Sequence, residues 1–380
     1  MKKILLFCLI ILSFFNVRGA ELVSNAKSAI LIDPDSKRIL YEKNIYEETS
    51  VASLTKMMGL ILIFEKIESG DIKYTDKVIA SANAAGMGGS QIWLSPGEEL
   101  TVDELLKGII MASANDGIVA MAEYIGGTEE NFVKMMNDKA KELGLVNTNF
   151  VNSTGLDEKN HYSSAYDLAI IATELMKHKD VFKYTTIYED YLRKDTNNKF
   201  WLVNTNKLLK SYKGVDGLKT GMTDNAGYCM AVTAIRNNMR ILAIVLGEKE
   251  GKVRNQETAN LLDYGFNTYE AITIKEKGEK VGEITFDKAN PSKIDILVDE
   301  DITIIRKKGE DKKEYISEVK LDNLSLPIKK NDIIGKLLIK DNNEIVKEIV
   351  LKSNQDMEKR SFFDLWGNTL KSLFTGDLIS

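Results

Sequence analysis

Three short segments carry residue types suited to acyl transfer: Ser53-Leu54-Thr55-Lys56, Ser113-Ala114-Asn115 and Lys219-Thr220-Gly221. A serine hydroxyl is a weak nucleophile until a base takes its proton. A lysine can be that base only where burial and nearby positive charge favour its neutral form. Three residues along a helix return to the same face, so a helical Ser53–Lys56 turn sets the amine beside the hydroxyl, and Lys219 can supply the positive charge. The start of a helix also offers free N–H groups and a positive dipole end to the oxygen of a tetrahedral intermediate. Ser53 N–H and Met222 N–H are the expected donors.

Each segment is weak evidence alone. Ser24-Asn25-Ala26-Lys27 and Ser317-Glu318-Val319-Lys320 repeat the first pattern, and Ser81-Ala82-Asn83 repeats the second. Context favours Ser53, which stands where a polar stretch turns into an apolar helix, with Met57, Leu60, Ile61 and Phe64 at helical spacing. The plainer readings are an N-cap at Ser53, caps at Ser113 and Asn115 for the helix that follows, and an ordinary strand around Lys219.

The elements that must position these groups follow from periodicity. Apolar runs over 27–33 and 37–43 flank Asp33-Pro34-Asp35-Ser36, a turn signal, and predict an opening β-hairpin. Helical patterns cover about 54–68, 101–112, 115–126, 129–143 and 164–177, with Thr101 to Glu104 opening the second of these and Ser164 to Asp167 resembling a capping box for the last. Strands at 215–221, 227–235 and 239–246 and a helix at about 254–267 close the unit. Strands, a helical middle and returning strands predict an α+β domain. The strand bearing Lys219 is expected at an edge, where an extended peptide can pair with it and Gly221 permits close approach. Residues 270–352 read as short β runs between charged turns, a small all-β domain with no catalytic constellation.

The ends have a different character. Met1-Lys2-Lys3, an apolar run from Ile4 to Phe15 and small residues at Gly19 and Ala20 read as a secretory signal peptide, too short for a spanning helix. From about Met357 the aromatic and aliphatic residues Phe362, Phe363, Trp366, Leu370, Leu373 and Phe374 fall on one helical face, predicting an amphipathic helix at a membrane surface. The expected division is 1–20 signal peptide, 21–267 catalytic domain, 268–355 β-rich domain and 356–380 anchor helix.

Composition narrows the function. The chain has 380 residues and a net charge of -5, with the two signs interspersed, so no basic stripe is present to neutralise a phosphate backbone and nucleic acid is not an expected partner. Cys8 lies in the leader, and Cys229, left alone, cannot form an internal disulfide and is expected in a buried strand. Two histidines, His161 and His178, without partner ligands make no zinc site, and no cofactor is expected.

On these motifs the sequence resembles the serine D-alanyl-D-alanine carboxypeptidases, the low-molecular-mass penicillin-binding proteins. The resemblance extends to Met87-Gly88-Gly89-Ser90-Gln91, Asn152-Ser153-Thr154-Gly155-Leu156, His161-Tyr162-Ser163-Ser164-Ala165 and Asp216 through Cys229. It implies a β-lactamase-like transpeptidase domain, an antiparallel sheet with a helical subdomain, followed by a β module and an anchor helix. It also implies that Ser53 is the acylated nucleophile, Lys56 the general base, Ser113 a proton relay and Asn115 a ligand for the substrate amide. By the same resemblance Lys219, Thr220 and Arg254 hold the terminal carboxylate. The implied partners are peptidoglycan stem peptides ending in D-Ala-D-Ala and β-lactams as inhibitors, met by an exported enzyme on the outer face of the cytoplasmic membrane. Met222 departs from the pattern, since many members carry His there. The rival readings are a β-lactamase and a catalytically silent wall-binding protein.

Overall fold

A five-stranded antiparallel sheet organises the first part of the computed structural model, which describes residues 22–311 and 313–360. Its strands lie in the order Ile39–Lys43, Ser28–Ile32, Met239–Glu248, Gly227–Arg236, Val215–Thr223. The opening hairpin thus pairs with strands from two hundred residues later, Ala29 opposite Val245 and Leu31 opposite Ala243. Val215–Thr223 is an edge strand, as expected.

The sheet is covered on both faces. Along Met239–Glu248 the residues Leu242, Ile244 and Leu246 join a core shared with the helices, while Ile241, Ala243 and Val245 join a second core on the other face with Leu261 and Leu262 of the helix Gly251–Thr268. Alternate side chains point to opposite faces, so a strand apolar on both reads as an unbroken hydrophobic run. The helical layer comprises Lys56–Glu68, Val102–Met111, Asn115–Gly126, Glu129–Glu142 and Ala165–Lys177. Thr101 and Glu104 form a reciprocal capping box on the second of these. At Ala165–Lys177 only half of one forms: Ser164 Oγ accepts from Asp167 N–H, but the Asp167 carboxylate turns away to Asn147 N–H and Thr148 Oγ1.

From Tyr269 to Arg360 the described residues form only strands, turns and loops: Tyr269–Lys275 pairs with Ile302–Lys307, Lys280–Thr285 with Lys293–Leu297, and Ile316–Leu321, Ile333–Asp341 and Glu344–Lys352 form a three-stranded sheet. Ile294, Ile296, Leu337, Ile339 and Met357 belong to its separate core. Tyr269 and Ile305 pack instead into the second core of the first unit, and Lys347 Nζ reaches Asp35 at 2.6 Å across the junction.

One expectation changes at the C-terminus. The amphipathic helix was placed from residue 356, yet Met357 is fully buried against the β core and Glu358–Lys359 pair with Ala289–Asn290 as a short strand. Burying the Met357 side chain and satisfying backbone groups in a ladder outweighs local helical pattern. The rest of that segment and residues 1–20, where the sequence predicts a signal peptide, lie outside the described residues. No helix among the described residues is long and apolar enough to cross a membrane.

Candidate active site

Ser53 sits on a 3-10 turn, Ala52–Thr55, that runs directly into the helix Lys56–Glu68. The turn replaces the simple helix start read from the pattern, because two neighbours press on it. Ala52 has φ 49°, in the left-handed region, and Gly155 packs so closely that a Cβ there would lie 1.9 Å from Ala52 O. On the other side Gly221 of the edge strand faces Ser53 N, and a Cβ on it would come within 3.0 Å of that nitrogen. Only glycine lets strand and turn approach this far, so both glycines set the position of the Ser53 amide.

Lys56, three residues on, is fully buried, and its Nζ lies 2.9 Å from Ser53 Oγ, 2.6 Å from Asn115 Oδ1 and 2.6 Å from Thr154 O. Asn115 Nδ2 donates to Gly88 O at 2.7 Å, which orients the amide so that Oδ1 faces the lysine. Asn115 Oδ1 and Thr154 O can only accept. A neutral amine therefore gives its two hydrogens to them and turns its lone pair to Ser53 Oγ, which donates. Burial pushes the Lys56 pKa well below the ordinary lysine value, the Lys219 charge adds to this and Asp116 opposes it.

Ser113 (φ 63°) lies in the loop ahead of Asn115–Gly126, and Asn115 is that helix's first residue. Neither side chain caps the helix: Ala114 holds the N-cap position without a side-chain bond. Both turn to lysines instead, Ser113 Oγ accepting from Lys219 Nζ at 2.7 Å. Lys219 is buried, and its pKa is lowered to about 7 by burial and then by Arg254. Thr220 Oγ1 bonds Thr205 Oγ1 at 2.7 Å. Arg254 is only 7 % exposed, so it is no surface arginine; it bonds Asn255 Oδ1 at 2.9 Å and Cys229 O at 3.4 Å. Cys229 is a buried strand residue, as expected. Met222 stands 54 % exposed at the end of the edge strand.

The site thus gathers Ser53, Lys56, Ser113, Asn115, Lys219 and Thr220, and it contains groups the motifs did not reveal. Asp116 is buried and accepts from Ile92 N–H at 3.1 Å, Leu94 N–H at 3.0 Å and Gly117 N–H at 2.9 Å, tying the segment 88–94 to the Asn115 helix. Its place beside Asn115 was the only signal available. Thr154 lay in a stretch matched to the family, but its carbonyl role needed the fold. His161 is a packing residue: Nδ1 accepts from Val151 N–H, so Nε2 carries the hydrogen given to Thr55 Oγ1, and burial lowers its pKa to about 4. A cavity of ≈ 1180 Å³ lies elsewhere, between the two units and lined by residues such as Asp33, Arg240 and Lys347. Convergent polar groups, not volume, mark the catalytic cleft.

The fold and this constellation define an active-site-serine acyltransferase architecture built around a half-buried serine and a fully buried lysine. A family model described as D-alanyl-D-alanine carboxypeptidase matches residues 17–250, and one for the penicillin-binding protein 5 C-terminal domain matches 269–359. The chain belongs to the D-alanyl-D-alanine carboxypeptidase family, with a peptidase domain followed by the all-β C-terminal domain. It is 48% identical over 354 residues to the D-alanyl-D-alanine carboxypeptidase DacF of Bacillus subtilis, covering 93% of this chain and 91% of the relative, and 33% identical to DacC of Escherichia coli, covering 89% and 86%. Among solved structures it is similar to penicillin binding protein 5 of Haemophilus influenzae (31% identity, TM-score 0.66, 88% of this chain and 98% of that one). It is also similar to penicillin-binding protein D2 of Listeria monocytogenes in the ampicillin-bound form (30%, TM-score 0.57, 63% and 97%).

Proposed function

We propose that this D-alanyl-D-alanine carboxypeptidase removes the terminal D-alanine of peptidoglycan stem peptides through an acyl-enzyme on Ser53. The observation that carries the assignment is the buried Lys56 amine, held by two pure acceptors and lying 2.9 Å from Ser53 Oγ, so that in its neutral form its lone pair faces the hydroxyl. Lys56 takes the hydroxyl proton as Ser53 attacks the carbonyl between the two D-alanines. Ser53 N–H and Met222 N–H stabilise the oxyanion. The collapse breaks the peptide bond as Ser113, bonded to Lys219, relays a proton to the leaving amine, and water then hydrolyses the ester. Asn115 binds the substrate amide, and Lys219, Thr220 and Arg254 hold the terminal carboxylate beside Gly221.

A β-lactam presents the same carbonyl and carboxylate and acylates the same serine. No carboxylate among the described residues hydrogen-bonds Ser53 or Lys56, and Asp116 is engaged by backbone N–H groups. This favours the carboxypeptidase over a β-lactamase, which in class A uses a dedicated carboxylate. Export through the leader 1–20, the division into 21–267 and 268–355, and a C-terminal membrane-surface helix within 356–380 belong to the same reading, supported by the sequence patterns above.

Intact-mass analysis with benzylpenicillin, beside D-alanine release from a D-Ala-D-Ala-terminated peptide, tests it. A lasting adduct with D-alanine release, both lost in Ser53→Ala, is the expected result. Rapid adduct loss without release would establish a β-lactamase, and neither adduct nor release a silent protein.

A further inference from the structure

Both tryptophans among the described residues stand in solvent, Trp93 at 69% and Trp201 at 56% exposure. Tryptophan is on average a highly buried residue, so two exposed on neighbouring segments call for a partner.

The Trp93 backbone is held from both sides. The N–H groups of Ile92 and Leu94 bond the Asp116 carboxylate at 3.1 and 3.0 Å, and the carbonyls of Ile92 and Trp93 accept from the Arg193 guanidinium at 2.9 and 3.4 Å. Arg193 is itself fixed by Glu98 at 2.5 Å. Trp93 has φ 58°, a conformation disfavoured for a bulky side chain that persists only where its surroundings impose it. These bonds impose it, and the result is a rigid backbone that keeps the indole outside.

Arg193 also leads to the other rings. It follows the hairpin strand Glu189–Leu192, which pairs with Phe200–Val203 and sets Tyr191 directly opposite Trp201. Leu192 and Leu202 point inward and are buried, so Tyr191 and Trp201 share the outer face, 39% and 56% exposed, with Lys199 Nζ 4.0 Å from the Tyr191 ring centre. These segments are tied to the catalytic cleft: Ser90 O accepts from Asn115 N–H at 2.7 Å, and the chain beyond the hairpin places Thr205 against Thr220.

Flat aromatic faces offered on a rigid frame, bordered by Ser90, Gln91 and Lys199, suit the C–H faces of pyranose rings, with polar neighbours for hydroxyl and acetamido groups. Several such rings across two joined segments suit a polymer better than a compact ligand. We propose that Trp93, Tyr191 and Trp201 form a track for the glycan strand from which wall stem peptides hang. This rests on the stem-peptide substrate of the preceding reading.

The test compares kcat/KM for D-alanine release from pentapeptide stems carried on an uncross-linked glycan strand with that from the free pentapeptide. In Trp93→Ala and in Trp201→Ala the ratio of the two should fall about fivefold each, and further in the double variant, with Trp93→Tyr and Trp201→Tyr restoring most of it. A glycan strand stripped of stems should quench tryptophan emission in the wild type and not in the double alanine variant. An unaltered ratio, or an equal fall on both substrates, overturns the track. Absence of both D-alanine release and a Ser53 penicillin adduct in the wild type overturns the underlying reading, and the track with it.

Discussion

The two lysines of the site and those on the surface of the β domain occupy opposite electrostatic surroundings. In the peptidase domain Lys56 and Lys219 are buried, bond only hydroxyl, amide and carbonyl oxygens, and have lowered pKa values. In the β domain Lys280 lies 2.6 Å from Asp295 and 3.1 Å from Glu283, Lys313 lies 2.6 Å from Asp341, and both pairings raise the lysine pKa at exposed positions. Exposed pairs of this kind contribute little to stability, because solvent screens them. A buried amine without a counter-ion is instead an unfavourable arrangement that folding tolerates at a site that uses it.

The sharpest way to break this contrast is Lys56→Met. Removing the base should lower Ser53 acylation by roughly 10³-fold or more, while the melting temperature stays level or rises because a desolvated amine is gone. Loss of both activity and fold would show that Lys56 is structural after all. Lys219→Met removes one carboxylate anchor and should reduce kcat/KM by about 10²-fold. It also removes a like charge near Lys56, so the Lys56 pKa rises and the acid limb of the rate profile moves to higher pH, which penicillin acylation rates across pH will show.

The wild-type profile sharpens the same point. The base function of Lys56 is lost as pH falls, whereas the cationic Lys219 that binds carboxylate is present below about pH 7 and lost above it in the free enzyme. The expected kcat/KM curve is a bell whose limbs belong to the coupled pair. Lys219→Arg should remove the alkaline limb, since a guanidinium stays charged; an unmoved limb would assign it to another group. Asp116→Ala leaves three buried backbone N–H groups unpaired and should cost about 1–3 kcal/mol by denaturant unfolding. At the small end, Lys280→Met in the β domain should leave both the melting temperature and the activity unchanged; a measurable drop in melting temperature would mean its ion pairs matter more than exposure suggests.

Much of this was legible in residue order. The hairpin, the helices and the three returning strands were placed within a few residues, because apolar periodicity and turn chemistry are local. Local pattern misled where a distant partner intervened. Met357 looked like the start of a helix until the β core took its side chain, and Ser113 and Asn115 looked like helix caps until two lysines claimed them.

The sequence by itself determined that Ser53 and Lys56 would meet, since they lie one helical turn apart, and that the strand bearing Lys219 would stand at an edge. Tertiary structure alone decided what makes that pair reactive. The Thr154 carbonyl, 98 residues from Lys56, and the Asn115 amide, turned by Gly88 O, accept both hydrogens of a neutral Lys56 amine and so turn its lone pair to Ser53. Arg254, 35 residues beyond Lys219, helps lower its pKa, and Gly155 and Gly221 let two distant backbones close on the serine turn. Proton direction, desolvation and backbone approach depend on which groups meet in space, and no spacing along the chain encodes that before the sheet and the helical layer close.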